Sequence, residues 1–187
     1  MILIVDNNDS FTFNIVESVR SVTKIPFTVV KSSNLSIEEV SKYQMIILSP
    51  GPSLPKDFPI LNAILETYHT HKPILGICLG HQAICSFYGA KLFQNQTVMH
   101  GYDSLIMSDS DSILFKGIHQ MTVGRYHSWY AGDIPSILKI TARDSEGIVM
   151  GVEHQSLPVY GVQFHPESYI TQYGNQIIKN FIDAASF

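Results

Sequence analysis

Cysteine is scarce in this chain, which has 187 residues and only two cysteines, Cys78 and Cys85. If one helix carried both, they would lie about 10 Å apart along its axis, which is too far for a disulfide bond. Two unpaired thiols provide no disulfide framework and suit a reducing compartment. We therefore expect a cytoplasmic protein.

Long apolar runs and clusters of basic residues are also missing. No apolar stretch approaches the roughly 20 residues that span a bilayer, and the opening MILIVDNNDS lacks the basic region and the longer apolar run of a signal peptide. The net charge is −4, from 12 basic and 16 acidic residues. These absences argue against a membrane partner and against non-specific nucleic-acid binding.

Common metal and nucleotide motifs do not occur. The sequence contains neither H-x-x-x-H nor C-x-x-C, and neither G-x-G-x-x-G nor G-x-x-x-x-G-K-[ST]. We therefore expect no metal and no cofactor in this chain. The composition, 45% hydrophobic and 15% charged, is typical of a folded domain. Because no linker or repeat interrupts it, we expect one domain over residues 1–187.

Short apolar runs alternate with amphipathic segments over the first ninety residues. The runs at 2–6, 27–30, 45–48 and 73–78 predict buried strands, and the segments between them predict helices. One helix should start near Ser10, with Asp9 or Ser10 as its N-cap, and another should be capped by Asp57. Such alternation predicts a parallel sheet that is covered on both faces.

The second half of the chain has a different pattern. Short β-rich runs such as ILKITA and VYGVQF follow one another, and a final helix is expected over 174–184. The predicted fold class is α/β: an open, mostly parallel twisted sheet flanked by helices, with antiparallel additions in the second half. Ligands of such sheets bind beyond the carboxyl ends of the strands. The segments SPGPS (49–53) and CLGHQ (78–82) should therefore face one crevice.

Cys78 lies in the pattern G-x-nucleophile-x-G, between Gly76 and Gly80. This spacing is typical of a sharp strand-to-helix turn that presents its central side chain at the top of a sheet. The positive end of the helix dipole favours a thiolate there, and the backbone N–H of Leu79 points to where an oxyanion would form. Cys85 lacks the glycines and is expected to pack in the core.

A catalytic thiol needs a base, and His165 is the best candidate among eight histidines. It ends an apolar strand and is followed by Pro166, which restricts the turn. Residues two apart in extended chain point the same way, so Glu167 can reach the His165 ring. His81 could pack locally, whereas His100 and His127 could line a cleft.

Each of these signals also has a structural interpretation. A cysteine in an apolar run is more often a packing residue, and an isolated His-x-Glu is more often structural. Their joint occurrence at two predicted strand ends favours a nucleophile and its base.

The motifs GICLGHQ, FHPE and SPGP together resemble the class I, triad-type, glutamine amidotransferase domains over essentially the whole chain. The segments DNNDSFTFN (6–14), VMHG (98–101) and RYHSW (125–129) resemble the glutaminase subunits of chorismate-using enzymes. That group comprises anthranilate synthase component II and the glutaminase subunit of aminodeoxychorismate synthase.

The resemblance implies the following roles. Cys78 would attack the side-chain amide of L-glutamine, His165 would pass a proton to the leaving ammonia, and Glu167 would orient His165. The oxyanion hole would be formed by two backbone N–H groups, those of Gly51 and Leu79. Glutamine would be bound by the loop and pocket residues Gly51, Pro52, Ser53, Gln82, Ser128 and Trp129.

The resemblance also implies a partner, because ammonia released into water is mostly protonated and no longer nucleophilic. A larger chorismate-binding synthase subunit would receive the ammonia, and Mg²⁺ would be held by that subunit. SPGPS and VMHG would be docking elements. Two alternatives are a free-standing Cys-His-Glu γ-glutamyl hydrolase and a regulatory module without catalysis.

Among the departures from the family pattern, two concern residues of the expected glutamine site. Ser53 replaces the final glycine of S-P-G-P-G, so a positive φ there would strain the backbone. Trp129 replaces a leucine and would make the pocket wall bulkier.

Overall fold

The computed structural model describes residues 1–95 and 101–185. The strands are β1 (Ile2–Asp6), β2 (Phe27–Lys31), β3 (Met45–Leu48), β4 (Ile74–Ile77), β5 (Lys91–Gln94), β6 (Tyr102–Ser108), β7 (Gln120–Arg125), β8 (Trp129–Gly132), β9 (Leu138–Asp144), β10 (Val149–His154) and β11 (Val159–Val162). The helices are α1 (Thr12–Val22), α2 (Ile37–Val40), α3 (Pro59–Tyr68), α4 (Leu79–Phe87) and α5 (Gly174–Ala184).

Within the described ranges, nine strands form one mixed sheet in the order β2-β1-β3-β4-β11-β10-β9-β6-β7. The first five of these strands are mutually parallel. The others are joined by antiparallel pairings, and β5 pairs with β8 in a separate two-stranded sheet. The predicted α/β class, with antiparallel additions in the second half, is confirmed.

Both faces of the parallel half are buried, because alternate residues of each strand enter different cores. Ile2 and Ile4 pack in a cluster with the apolar sides of α1 and α5. Leu3 and Val5 point the other way and pack in a cluster with α2, α3 and α4. This two-sided burial explains why these strands are continuous apolar runs. No helix in the described ranges is long and apolar enough to cross a bilayer.

The helix caps predicted at Asp9 or Ser10 and at Asp57 are wrong. Helix α1 begins only at Thr12, and neither Asp9 nor Ser10 is its N-cap. Asp9 instead accepts a hydrogen bond from the backbone N–H two residues on, at 2.8 Å. Asp57 belongs to a short 3₁₀ turn ahead of α3, which begins at Pro59. In both places a local side-chain-to-backbone turn competes with capping.

The antiparallel half of the sheet folds back, so that the end of β7 lies near the segment that follows β11. Gly124 near the end of β7 forms an isolated antiparallel bridge with His165, whose backbone N–H donates to the Gly124 carbonyl at 3.1 Å. Although β7 lies at the far edge of the sheet order, its end therefore meets the segment that follows β11. This return brings the RYHSW segment beside the carboxyl ends of β4 and β11.

The junction between β4 and α4 is too crowded for any side chain on either flanking glycine. A Cβ on Gly76 would lie 2.4 Å from the Gly80 carbonyl, and one on Gly80 would lie 2.4 Å from the Leu48 carbonyl oxygen. Both obstacles are backbone atoms, which cannot move aside. The close approach of backbone atoms therefore requires glycine on both sides of Cys78.

We expect Gly80→Ala to lower the free energy of unfolding by about 1–3 kcal/mol, because the methyl group overlaps the β3 backbone. Urea denaturation of the variant measures this loss. Gly132→Ala is the matched control, since a Cβ there meets only the half-exposed Phe93 ring, at 2.8 Å. Equal losses in the two variants would contradict the proposed overlap.

Candidate active site

Cys78 occupies a strained turn between β4 and α4. Its backbone has φ +51° and ψ −99°, a region that residues other than glycine rarely adopt. The Cys78 N–H donates to the Val162 carbonyl at 2.8 Å, and the Cys78 carbonyl accepts from the N–H of Gln82 at 3.0 Å. These two hydrogen bonds, one to β11 and one within the first turn of α4, therefore keep Cys78 in its strained conformation.

The register of β4 against β11 places the other predicted residues beside Cys78. Ile77 pairs with Val162, so the next residues of the two strands, Cys78 and Gln163, follow side by side. His165 lies two positions further, where it points to the same edge of the sheet. The predicted meeting of Cys78 and His165 at neighbouring strand ends is present in the structure.

His165 and Glu167 form a buried pair. Nδ1 of His165 lies 2.8 Å from Oε1 of Glu167, and the two side chains are 2% and 0% exposed. Nε2 of His165 is buried without a formed hydrogen bond, while the Cys78 side chain faces the ring. Catalytic hydrogen bonds are often loose before substrate binds.

Burial and the neighbouring groups shift the pKa of His165 in opposite directions. Burial lowers the pKa of His165, but the Glu167 carboxylate and the neighbouring Cys78 side chain raise it well above its ordinary value. The rings of Phe11 and Tyr126 each contact the imidazole edge-on, with centroids 4.9 Å away. These contacts restrict the ring to one orientation, with Nδ1 on the carboxylate.

The turn after His165 is supported by residues that follow it. The Thr171 hydroxyl donates to the His165 carbonyl at 2.6 Å and accepts from the Gly124 N–H at 3.0 Å. Gly174 passes so close to Pro166 that a Cβ there would lie 1.8 Å from the Pro166 carbonyl oxygen. This support fixes the backbone that carries His165.

Cys78 opens into a small cavity of about 220 Å³. Its volume lies below the roughly 300–1,000 Å³ typical of sites for drug-sized ligands and suits a single amino acid. The lining residues come from the SPGPS loop, the β4–α4 turn and the RYHSW segment: Gly51, Pro52, Ser53, Cys78, Gln82, Tyr126, His127, Ser128 and Trp129. The expectations that SPGPS and CLGHQ share a crevice and that His127 lines a cleft are confirmed.

Gly51 lies against the side chain of Leu79. A Cβ on Gly51 would lie 2.5 Å from Leu79 Cδ2 and 2.7 Å from the Cβ of Asn7. Asn7 was not predicted; its backbone N–H donates to Ser49 Oγ at 3.0 Å and its side-chain amide donates to the Ser49 carbonyl at 2.9 Å. Asn7 therefore ties the end of β1 to the loop that carries Gly51.

Both departures from the family pattern have structural consequences. Ser53 has φ +66°, so the strain expected of a residue with a Cβ at this position is present. Trp129 lines the 220 Å³ cavity and also an adjoining, more apolar cavity of about 550 Å³. Trp129 is thus a lining residue of both cavities.

The remaining candidates lie away from the cavity or outside the described residues. Cys85 is fully buried in an apolar cluster, as predicted, and burial raises its pKa. His81 is also fully buried beside Cys85, and burial lowers its pKa to about 4. His100 lies outside the described ranges. Within those ranges, no group of three His, Cys, Asp or Glu side chains is placed to hold a metal ion.

Gln163 was missed by sequence reasoning. It is fully buried, and its Nε2 lies 3.7 Å from the sulfur of Cys78. A signal was present, because Gln163 is a polar residue with an apolar neighbour on each side, Val162 and Phe164, at the end of an apolar run. A buried amide must be hydrogen-bonded, so such a residue requires polar partners.

The fold and the site define a class of α/β proteins that carry a cysteine, a histidine and a carboxylate at neighbouring strand ends. Comparison with known families agrees, since the glutamine amidotransferase class-I family matches residues 3–185. The chain belongs to that family and is a glutamine amidotransferase. The resemblance drawn from its motifs is confirmed.

Two relatives and one solved structure show in more detail what this chain is similar to. The Haemophilus influenzae protein named "Putative anthranilate synthase component II" is 41% identical over 184 residues, which cover 97% of this chain and 95% of that protein. The Bacillus subtilis "Aminodeoxychorismate/anthranilate synthase component 2" is 36% identical, covering 98% and 96%. The crystal structure of "a putative gmp synthase subunit a protein" from Thermoplasma acidophilum has a TM-score of 0.90 at 25% identity, covering 99% and 93%.

We expect Glu167→Gln to change how stability depends on pH. In the unaltered protein the folded-state pKa of His165 lies above the unfolded value of about 6.5, so its contribution is complete below that pH. The contribution is lost as pH rises through the folded pKa, by up to about 1.4 kcal/mol per pH unit. Without the carboxylate, burial keeps His165 neutral and this loss disappears.

Urea denaturation from pH 6 to pH 9 tests this expectation, with the exposed Glu66→Gln as the control. The difference in free energy of unfolding between the unaltered protein and Glu167→Gln should shrink as pH rises. A difference that stays constant over this range would contradict a raised pKa for His165.

Proposed function

We propose that this chain is a glutaminase subunit that hydrolyses L-glutamine through a thioester on Cys78 and passes the ammonia to a larger chorismate-binding subunit. One observation carries the proposal: the Cys78 sulfur opens into a cavity sized for one amino acid, with the buried His165–Glu167 pair behind it. The names of the relatives support the choice of partner.

In the first step Cys78 gives its thiol proton to Nε2 of His165, and the sulfur attacks the side-chain amide carbon of glutamine. The carbonyl π electrons move to oxygen, and the tetrahedral intermediate then expels the amine as His165 transfers a proton to it from Nε2. Ammonia leaves and a γ-glutamyl thioester remains. Water then attacks the thioester carbon while His165 takes one of its protons. The carbon–sulfur bond breaks, glutamate leaves, and His165 returns the proton to the sulfur, which restores the thiol.

The roles of the other residues follow from their places around the cavity. The backbone N–H groups of Gly51 and Leu79 would stabilise the oxyanion, and the close packing of Gly51 against the Leu79 side chain supports this role. Gln82 would bind the amino-acid end of the substrate. The backbones of Ser128 and Trp129 would bind it from the opposite wall, and Pro52 and Ser53 would close the rim.

The proposed direct transfer of ammonia requires a partner subunit that receives it. Pro52 and Ser53 are exposed at the rim of the cavity, which makes SPGPS a natural docking element. The other predicted docking element, VMHG, lies outside the described residues except for Gly101. In this proposal the present chain needs no cofactor, and Mg²⁺ is held by the chorismate-binding subunit.

We expect Cys78→Ser to lower glutamine-dependent product formation at least about a thousandfold, because the nucleophile is lost. Synthesis from ammonium salts by the partner should be unchanged, since that route bypasses the thioester. The assay mixes the variant with the chorismate-binding subunit, glutamine or ammonium, chorismate and Mg²⁺. Cys85→Ser is the control and should retain glutamine-dependent synthesis; glutamine-dependent synthesis by Cys78→Ser would refute the mechanism.

The same reconstitution, run with each candidate chorismate-binding subunit of the source cell, assigns the pathway. Anthranilate alone indicates anthranilate synthase, aminodeoxychorismate alone indicates aminodeoxychorismate synthase, and both products indicate a shared subunit. Rapid glutamine hydrolysis by the isolated chain, with no product from either partner, would instead support the free-standing γ-glutamyl hydrolase.

A further inference from the structure

Three buried polar residues near the cavity have no role in the mechanism above. Arg125 and His127 belong to the RYHSW segment, of which only the last two residues were assigned to glutamine binding. Gln163 contacts the nucleophile itself. These residues belong to one hydrogen-bonded chain, which we call the polar chain: Asp144, Arg125, His127, Trp129, Gln82 and Gln163.

The polar chain begins at a buried ion pair. Nη1 of Arg125 donates to Oδ2 of Asp144 at 2.7 Å, and the two side chains are 3% and 2% exposed. Asp144 also accepts the backbone N–H groups of Glu146 and Ile148, at 3.0 and 2.8 Å. The carboxylate is therefore held by the β9–β10 turn, and it holds the guanidinium in turn.

Arg125 determines which nitrogen of His127 carries the proton. A guanidinium can only donate, and Nε of Arg125 lies 3.1 Å from Nε2 of His127, so Nε2 must accept. The proton is then on Nδ1, which donates to the Trp129 carbonyl at 2.8 Å. Burial and the Arg125 cation lower the pKa of His127 to about 3, so this neutral form is the one present at neutral pH.

The Trp129 carbonyl accepts two hydrogen bonds. One comes from His127, and the other comes from Nε2 of Gln82, also at 2.8 Å. A carbonyl can only accept, so the amide of Gln82 must face it with its nitrogen. The same nitrogen lies 3.4 Å from Oε1 of Gln163.

The amide of Gln163 is thereby left with one orientation. Its oxygen faces Gln82, so its Nε2 faces the Cys78 sulfur at 3.7 Å. Because a hydrogen bond has a preferred direction, an N–H donor at this place restricts where the sulfur lies relative to the cavity.

We propose that Gln163 is a positioning residue that aims the Cys78 sulfur into the glutamine cavity. The Arg125–Asp144 pair sets the direction of every hydrogen bond between itself and that sulfur. The inference rests on the proposed function, because it assumes that Cys78 attacks a ligand in this cavity. It adds that the Arg125–Asp144 pair orients both the glutamine-binding wall of the cavity and the sulfur that attacks glutamine.

Gln163→Leu tests the proposal, because leucine keeps most of the side-chain volume and removes the donor. The probes are a diazo-ketone analogue of glutamine, which binds in the cavity before it alkylates Cys78, and iodoacetamide, which has no amino-acid group to bind there. We expect the maximal rate of inactivation by the analogue to fall about 10- to 100-fold, because misplacement of a reacting atom by about 1 Å costs a factor of up to this size. Its half-saturating concentration and the iodoacetamide rate should stay within about threefold.

The exposed Gln176→Leu on α5 is the matched control and should react like the unaltered protein. An unchanged rate with the analogue, or equal losses with both reagents, would overturn the positioning role. If the analogue fails to label Cys78 even in the unaltered protein, the proposed function fails instead, so the two failures are distinguishable.

A measurement on the unaltered protein covers the case in which Gln163→Leu does not fold. In ¹⁵N spectra at pH 7, His127 should be neutral with its proton on Nδ1, and alkylation of Cys78 should shift the side-chain amide signal of Gln163. A proton on Nε2 of His127, or an amide signal that does not move, would overturn the proposal.

Discussion

Strands β4 and β11 lie side by side and parallel, and the site depends on this pairing. Their register ends with Ile77 opposite Val162, and the Cys78 N–H donates to the Val162 carbonyl at 2.8 Å. The nucleophile and the segment that carries His165 therefore leave the sheet at the same edge. A shift of one residue would turn the side chains of β11 to the other face, and the pair would be lost.

Strain at the nucleophile is maintained by rigid surroundings. Cys78 keeps a positive φ because β11 holds its N–H and α4 holds its carbonyl, while the glycines on either side allow backbone atoms to approach closely. Such a conformation persists only where the neighbouring structure determines it. The strain lifts the thiol out of the sheet and directs it into the cavity.

Two buried histidines near the cavity have pKa values that their neighbours shift in opposite directions. His165 faces the Glu167 carboxylate, which raises its pKa and suits it to hold and release a proton. His127 faces the Arg125 cation, which together with burial lowers its pKa to about 3 and makes it a fixed hydrogen-bond element. Neighbouring groups of one chemical type thus acquire different roles through their environment alone.

The sequence by itself determined what depends on near neighbours: the apolar strands, the glycines around Cys78 and the reach of Glu167 to His165. It misled at the helix caps, where local side-chain hydrogen bonds compete, and it did not show the contact of Gln163 with Cys78. That contact joins residues 85 positions apart and exists only because β4 and β11 pair. The tertiary structure decided such contacts, because no local spacing specifies which distant strands become neighbours.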